Sequence, residues 1–174
     1  NQMASGRCWG FAGLNLMRLQ VVDSLELNTF EFSQNYFMFW DKLEKANYFL
    51  ENIIKSRDES YESRLITHLL KAPVQDGGQW DMFVNLINKY GAVPKDVMPE
   101  TNHSSKSGAM NYILTHKLRE FASILRKKPA KNSAALKKDM METIYNLLAM
   151  FLGQPPDVIN WSTRNKDNRH IVIS

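Results

Sequence analysis

The sequence predicts a mainly α-helical fold, on three observations. Apolar residues recur at helical spacing through most of the 174 residues. The breaks between those runs carry the Pro, Gly, Ser and Asn signals that end one helix and cap the next. The run that is apolar around most of its circumference opens with the only cysteine, Cys8.

That first helix is expected from Cys8 to about Leu25, with Trp9, Phe11, Leu14, Leu16, Met17, Leu19, Val21 and Val22 spread around it. Only Asn15, Arg18 and Gln20 form a polar stripe, so the helix is expected to be central and buried. After a connector, Leu27 to Phe32, Ser33 is a good N-cap for a second helix running to about Lys55. Its aromatic-rich face carries Tyr36, Phe37, Phe39, Trp40 and Phe49, and Asp41, Lys42, Glu44 and Lys45 read as a solvated face. Ser56 to Ser60 is a polar loop, followed by a shorter helix from Tyr61 to Leu70.

Pro73 stops that helix, and Asp76-Gly77-Gly78 is a turn signal. Two adjacent glycines remove side chains where another backbone, or a ligand, can lie close; an ordinary turn is the plainer alternative. Trp80 to Tyr90 is helical and ends at Gly91, Ala92 to Pro94 is extended, and Pro99 to Ser107 is polar and turn-rich. Helices over 108–127 and 133–152 form an antiparallel hairpin about Lys128-Pro129-Ala130-Lys131-Asn132. Gly153-Gln154-Pro155-Pro156 ends it. Strand segments are expected at Val158 to Trp161 and Ile171 to Ile173 around a charged turn, Thr163 to Arg169, although the final Ile171–Ser174 run has no obvious partner nearby.

Apolar and charged contents of 44% and 23% are those of an ordinary globular chain. No apolar run reaches the ~18 residues of a membrane span, so no membrane partner is expected. A single cysteine excludes an internal disulfide and suits a reducing compartment, with the cytoplasm as the expected location. The abrupt start and strand-like end read as a piece of a longer polypeptide.

The net charge of +4 is uneven: residues 117–138 hold eight Lys or Arg against one acid, Glu120, which makes that window +7 and the remainder −3. Such a basic hairpin offers weak nucleic-acid binding as one function, or a partner surface on a non-catalytic module. It lacks the interleaved aromatics that stack bases.

His68, His103, His116 and His170 show no ligand spacing, so neither a metal site nor a cofactor is expected. Phosphate-cradling glycine motifs are absent too. Cysteine chemistry has more support. A thiol at the first turn of a helix meets unpaired backbone N–H groups that stabilise a thiolate. Attack on an amide carbonyl creates an oxyanion, for which the Cys8 N–H and the Gln2 side-chain amide are candidate donors. A Ser5-Gly6-Arg7 turn would bring Gln2 back beside Cys8, and Trp9 would form an apolar wall. A structural thiol buried as a small hydrophobe is the alternative.

At these residues the sequence resembles the papain-like cysteine peptidases, where a Gln precedes the nucleophile by six residues and a Cys-Trp pair opens the central helix. The stretches SGRCWGFAGLNLMR, FEFSQNYFMFWDKLEKANYFLE (Phe30 to Glu51), DGGQWDMFVNLINKYGAVPK (Asp76 to Lys95) and MNYILTHKLREF (Met110 to Phe121) are similar to the bleomycin hydrolase and aminopeptidase C branch. The resemblance implies the nucleophile-bearing helical lobe of an α+β peptidase with a helical-hairpin insertion, its second, β lobe largely absent. It divides the chain into 1–96, the lobe; 97–153, the insertion; and 154–174, the start of the connection onward. It implies Cys8 as nucleophile, Gln2 as oxyanion donor, and Trp9, Gly77 and Gly78 along the substrate cleft. It further implies a peptide substrate, aminopeptidase activity and a homohexamer. The family's general-base histidine and orienting asparagine lie far downstream in the second lobe, and His170 is not expected to replace that histidine. This chain alone is therefore expected to be inactive.

Overall fold

The computed structural model describes residues 3–173. In order, the elements are α1 (Cys8–Ser24), α2 (Gln34–Lys55), α3 (Arg64–Lys71), α4 (Trp80–Tyr90), α5 (Asn102–Ser105), α6 (Gly108–Lys127), α7 (Ser133–Leu152), β1 (Trp161–Arg164) and β2 (His170–Ile173). A 3₁₀ turn, Ala130–Asn132, joins α6 to α7.

Local signals set most boundaries. Ser33 caps α2, accepting from the Tyr36 N–H at 3.0 Å. The third helix begins three residues later than Tyr61, because Ser63 supplies the cap and accepts from the Ile66 N–H. Gly91 closes α4 with its N–H on the Ile87 carbonyl at 2.8 Å. The short α5 was not expected from the polar run around it. Thr101 and Ser104 exchange side-chain-to-backbone hydrogen bonds as a capping box, which satisfies enough orphan N–H groups to stabilise a single turn.

The helices enclose two apolar cores. The larger lies between α2, α3, α6 and α7, with Phe39, Ile53, Ile66, Met110, Leu114, Leu118, Ile144 and Leu148 completely buried. The hairpin thus packs directly on α2. The smaller gathers Leu14 of α1, Phe37 of α2, Phe83 and Leu86 of α4, and Leu27, Phe30 and Phe32 of the connector. Trp40 and Tyr90 stack where the two meet, with ring centroids 4.0 Å apart and planes within 9°.

Four of the eight basic side chains of residues 117–138 are engaged within the fold. Arg126 donates to the carbonyls of Ser56 and Glu59 and lies over the Tyr61 ring. Arg119 donates to the Leu70 and Lys71 carbonyls, Lys117 pairs with Glu120, and Lys137 with Glu51.

Three expectations are corrected. The first helix is not enclosed: only Gly10, Gly13 and Leu14 are buried, while Leu16 and Leu19 are 58% and 61% exposed. Its covered side is the glycine side, where the rings of Phe37 and Phe83 occupy the space of the missing β-carbons. The opposite apolar side meets none of the other described elements. Second, Asp41, Lys42 and Lys45 are buried, because the 74–77 loop folds over that face of α2. Third, the final strand has a partner: β1 and β2 pair antiparallel, Trp161 opposite Ile173 and Arg164 opposite His170. The strand begins at Trp161 instead of ending there. Asn165 organises the turn, its side-chain oxygen accepting from the N–H groups of Asp167 and Arg169.

Among the described residues, no helix is long and apolar enough to cross a membrane.

Candidate active site

The site is built from the segment preceding α1 outward. Ala4 bridges to the end of α5, its N–H donating to the Ser105 carbonyl at 3.0 Å and its carbonyl accepting from Ser107 at 3.2 Å. Gly6 turns the chain with φ of +58°, and a side chain there would occupy the space of the Asp76 carboxylate. Arg7 is buried. It donates to Ser5 Oγ at 2.9 Å and forms a bidentate pair with Glu100 at 3.0 and 2.9 Å. Two parallel charge-assisted bonds fix orientation as well as position, so the residue before the cysteine is immobilised.

Cys8 then opens α1 as a free, exposed thiol. Arg7, the N-cap residue, makes no side-chain capping bond, which leaves first-turn N–H groups unclaimed by a cap. Gln2, the second proposed oxyanion donor, lies outside the described residues.

Trp9 follows on the inner side. Its ring packs edge-on against Phe37 at 5.0 Å, and the Lys45 ammonium sits 5.3 Å from its centroid. Gly78 lies on the same ring: a β-carbon there would come within 2.7–2.8 Å of it. The fold therefore brings Trp9, Gly78 and the start of α1 into one place, although about 70 residues of chain separate them. Gly77, with φ of +84°, has open space where a side chain would go.

Beneath the glycines lies a charge cluster that the sequence reading placed in solvent. Lys42 Nζ donates to the Val74 carbonyl at 2.8 Å and to Asp76 Oδ1 at 2.9 Å. Lys45 Nζ donates to Asp41 Oδ2 at 2.9 Å and to the Gly77 carbonyl at 2.8 Å. Burial pushes the Asp41 carboxyl up and the Lys45 ammonium down from their ordinary values, and their mutual attraction opposes both shifts. A signal for this existed. Positions 39, 42, 46, 49, 50 and 53 form one helical stripe, so Lys42 belonged to the apolar face by spacing.

The histidines are elsewhere. His170 stands on β2, whose hairpin is tied to the far end of α1 by the Lys166 N–H on the Glu26 carbonyl. Along the 17-residue helix that is about 25 Å from Cys8. His68 lines a cavity of about 630 Å³ between α2, α3 and α4. His116 bonds to the Tyr112 carbonyl within α6, and His103 packs on Phe151. Among the described residues, no group of three or more metal-ligating side chains forms.

Comparison with known proteins gives a consistent result. The model of the Peptidase C1-like family matches residues 1–173. Aminopeptidase C of Listeria innocua is 56% identical over 170 residues, covering 97% of this chain and 38% of that protein. Bleomycin hydrolase of Oryctolagus cuniculus is 43% identical over 180 residues, covering 99% of this chain and 65% of the other. The crystal structure of PepW from Lactobacillus rhamnosis matches with a TM-score of 0.95 at 47% identity, over 99% of this chain and 40% of that one. The chain thus spans well under half the length of the Listeria and Lactobacillus proteins.

Proposed function

The chain belongs to the Peptidase C1-like family, and from that premise we propose that it is the nucleophile-bearing lobe of a cysteine aminopeptidase. One observation carries the reading: the only thiol is exposed at the first residue of α1, beside a tryptophan on which Gly78 rests. In this reading Cys8 attacks the carbonyl carbon of the first peptide bond of a bound peptide. The oxyanion is held by the Cys8 N–H and the Gln2 amide, and Gly77 and Gly78 line the cleft with Trp9 behind them. A histidine from the remainder of a longer enzyme takes the thiol proton and returns it to the departing amine. Water then releases the acyl group from sulfur. The name of the aminopeptidase C relative supports an exopeptidase over an endopeptidase.

The exposed apolar side of α1 is where the second lobe would pack, with 97–153 as an insertion into the first lobe and 154–174 as the connection onward. The working environment is reducing, the cytoplasm by this reading, and the assembly a homohexamer. No cofactor takes part.

The test uses the full-length enzyme and an aminoacyl fluorogenic amide. Cys8→Ser is expected to lower kcat/KM by more than ~10³-fold while leaving the circular dichroism spectrum unchanged. Residues 1–174 alone are expected to give no measurable turnover, because general acid–base transfer worth roughly 10²–10⁴-fold is missing. Turnover that survives Cys8→Ser would refute the reading.

A further inference from the structure

Lys42 and Lys45 have no role in the chemistry just described, yet the fold buries both. Each is among the most enclosed charged residues of the molecule, 1% and 8% exposed. Burying an ammonium costs several kcal/mol unless excellent partners compensate. An apolar chain of the same length would fill the same space without that cost. The partners therefore explain the lysines.

Four acceptors are involved: the Asp41 carboxylate, the Val74 carbonyl, the Asp76 carboxylate and the Gly77 carbonyl. Three of them lie in residues 74–77, directly before Gly78. This stretch belongs to no helix or strand, and among the described residues the backbone of 76–78 makes no hydrogen bond to another backbone group. The two ammonium groups, one helical turn apart on α2, take the place of the ladder that would otherwise fix it. Lys45 also faces the Trp9 ring on which Gly78 rests, so one side chain touches both the loop and its support. Lys42 acts at the other end: it holds Asp76, whose carboxylate fills the notch at Gly6, two residues before the thiol.

Gly78 is left with a consequential property. Among the described residues, neither its N–H nor its carbonyl has a hydrogen-bond partner, and the residue is half-buried. An unpaired backbone donor and acceptor held at a fixed height beside an exposed nucleophile suit the backbone of an extended peptide. We propose that Lys42 and Lys45 are positioning residues that hold the Val74–Gly77 loop so that the Gly78 backbone is presented to the substrate peptide, with Lys45 setting the glycine pair and Lys42 tying it to the turn before Cys8. This rests on the peptidase reading above. The lysines touch no substrate and act through the loop carbonyls.

The test separates peptide binding from thiol reactivity in the full-length enzyme. Lys45→Met removes the bond to the Gly77 carbonyl, a charge-assisted bond whose loss is expected to raise KM for an aminoacyl-peptide substrate about tenfold or more. The expected change in kcat is less than about threefold. The alkylation rate of Cys8 by iodoacetamide, a reagent too small to need the glycine pair, is expected to stay within about twofold. Because Lys45→Met strands the Asp41 carboxylate, Asp41→Leu with Lys45→Met is the companion variant. It leaves no unpaired charge, so it folds if the single variant does not, and it is expected to show the same KM increase.

An unchanged KM in the folded double variant overturns the proposal. So does a rise in KM matched by an equal slowing of alkylation, since the lysines would then support the whole site and not the peptide-facing loop. A parent enzyme without Cys8-dependent turnover overturns the peptidase reading, and the proposal with it.

Discussion

The first two helices of this chain have opposite fates. The second helix is buried along most of its length, between the hairpin on one side and α3 and α4 on others, and three of its charged residues, Asp41, Lys42 and Lys45, are covered as well. The first helix carries the thiol and is the more uniformly apolar of the two, yet it is covered on one side only. An apolar circumference states a demand for burial. It does not say which element meets the demand. For α2, later segments of the same chain meet it; for α1, the described residues supply one side and leave Leu16 and Leu19 in solvent.

That contrast makes the largest prediction. Phe49 is 1% exposed in the larger core, so Phe49→Ala is expected to destabilise residues 1–174 by about 3–5 kcal/mol in urea unfolding. Leu19→Ala, on the open side of α1, is expected to change stability by no more than about 0.5 kcal/mol in the same chain. In the full-length enzyme the second value should rise toward the first, if the proposed second lobe packs there. Equal costs in the short chain would break the comparison.

A smaller effect comes from the end of α1 that is tied down. Arg7→Ala removes both parallel bonds to the Glu100 carboxylate, which keeps only the Ser104 hydroxyl, and about 2–3 kcal/mol is expected to be lost. Arg7→Lys should recover less than half of it, since an ammonium cannot reproduce the bidentate geometry. The urea midpoint of each variant checks both statements. Full recovery by lysine would mean that charge alone, without the two-bond fork, anchors the segment before Cys8.

Legibility in the sequence divides along the same line. The hairpin helices, 108–127 and 133–152, were readable to the residue, because Lys128-Pro129 and Gly153 are local signals that act on the backbone beside them. That the thiol opens α1 was readable from its place at the head of an apolar helical run. What the sequence did not reveal were contacts made at a distance: Arg7 with Glu100, and Lys42 and Lys45 with the 74–77 loop. A lysine has the same composition in solvent as beneath a loop; only the element that arrives over it distinguishes the two. Lys42 could have been suspected from its place on the Phe39–Ala46–Phe49 stripe. Arg7, outside any helix period, carried no such mark.

The smallest effect lies at the seam between the two cores. Glu44 of α2 accepts from Lys89 and from the Tyr90 hydroxyl of α4, next to the Trp40–Tyr90 stack that joins the clusters. Burial works against its ionisation, but the hydrogen bonds from Lys89 and Tyr90 outweigh it and hold the carboxyl below the ordinary glutamate range. A carboxyl lowered in the fold contributes stability that is present above its unfolded pKa and is lost as the pH falls through the folded value. The contribution is expected to stay below about 1 kcal/mol, because Lys89 is 60% exposed and solvent screens the pair. Glu44→Gln should therefore unfold at slightly lower urea than the parent at neutral pH. The gap should close as the pH falls through the lowered folded value, where the parent carboxyl also becomes neutral. Comparing the two proteins at each pH cancels the titration of every other acid. A gap that persists at low pH would show that the seam is held by the shape of the Trp40–Tyr90 stack, with the Glu44 charge contributing nothing to the joining of the two cores.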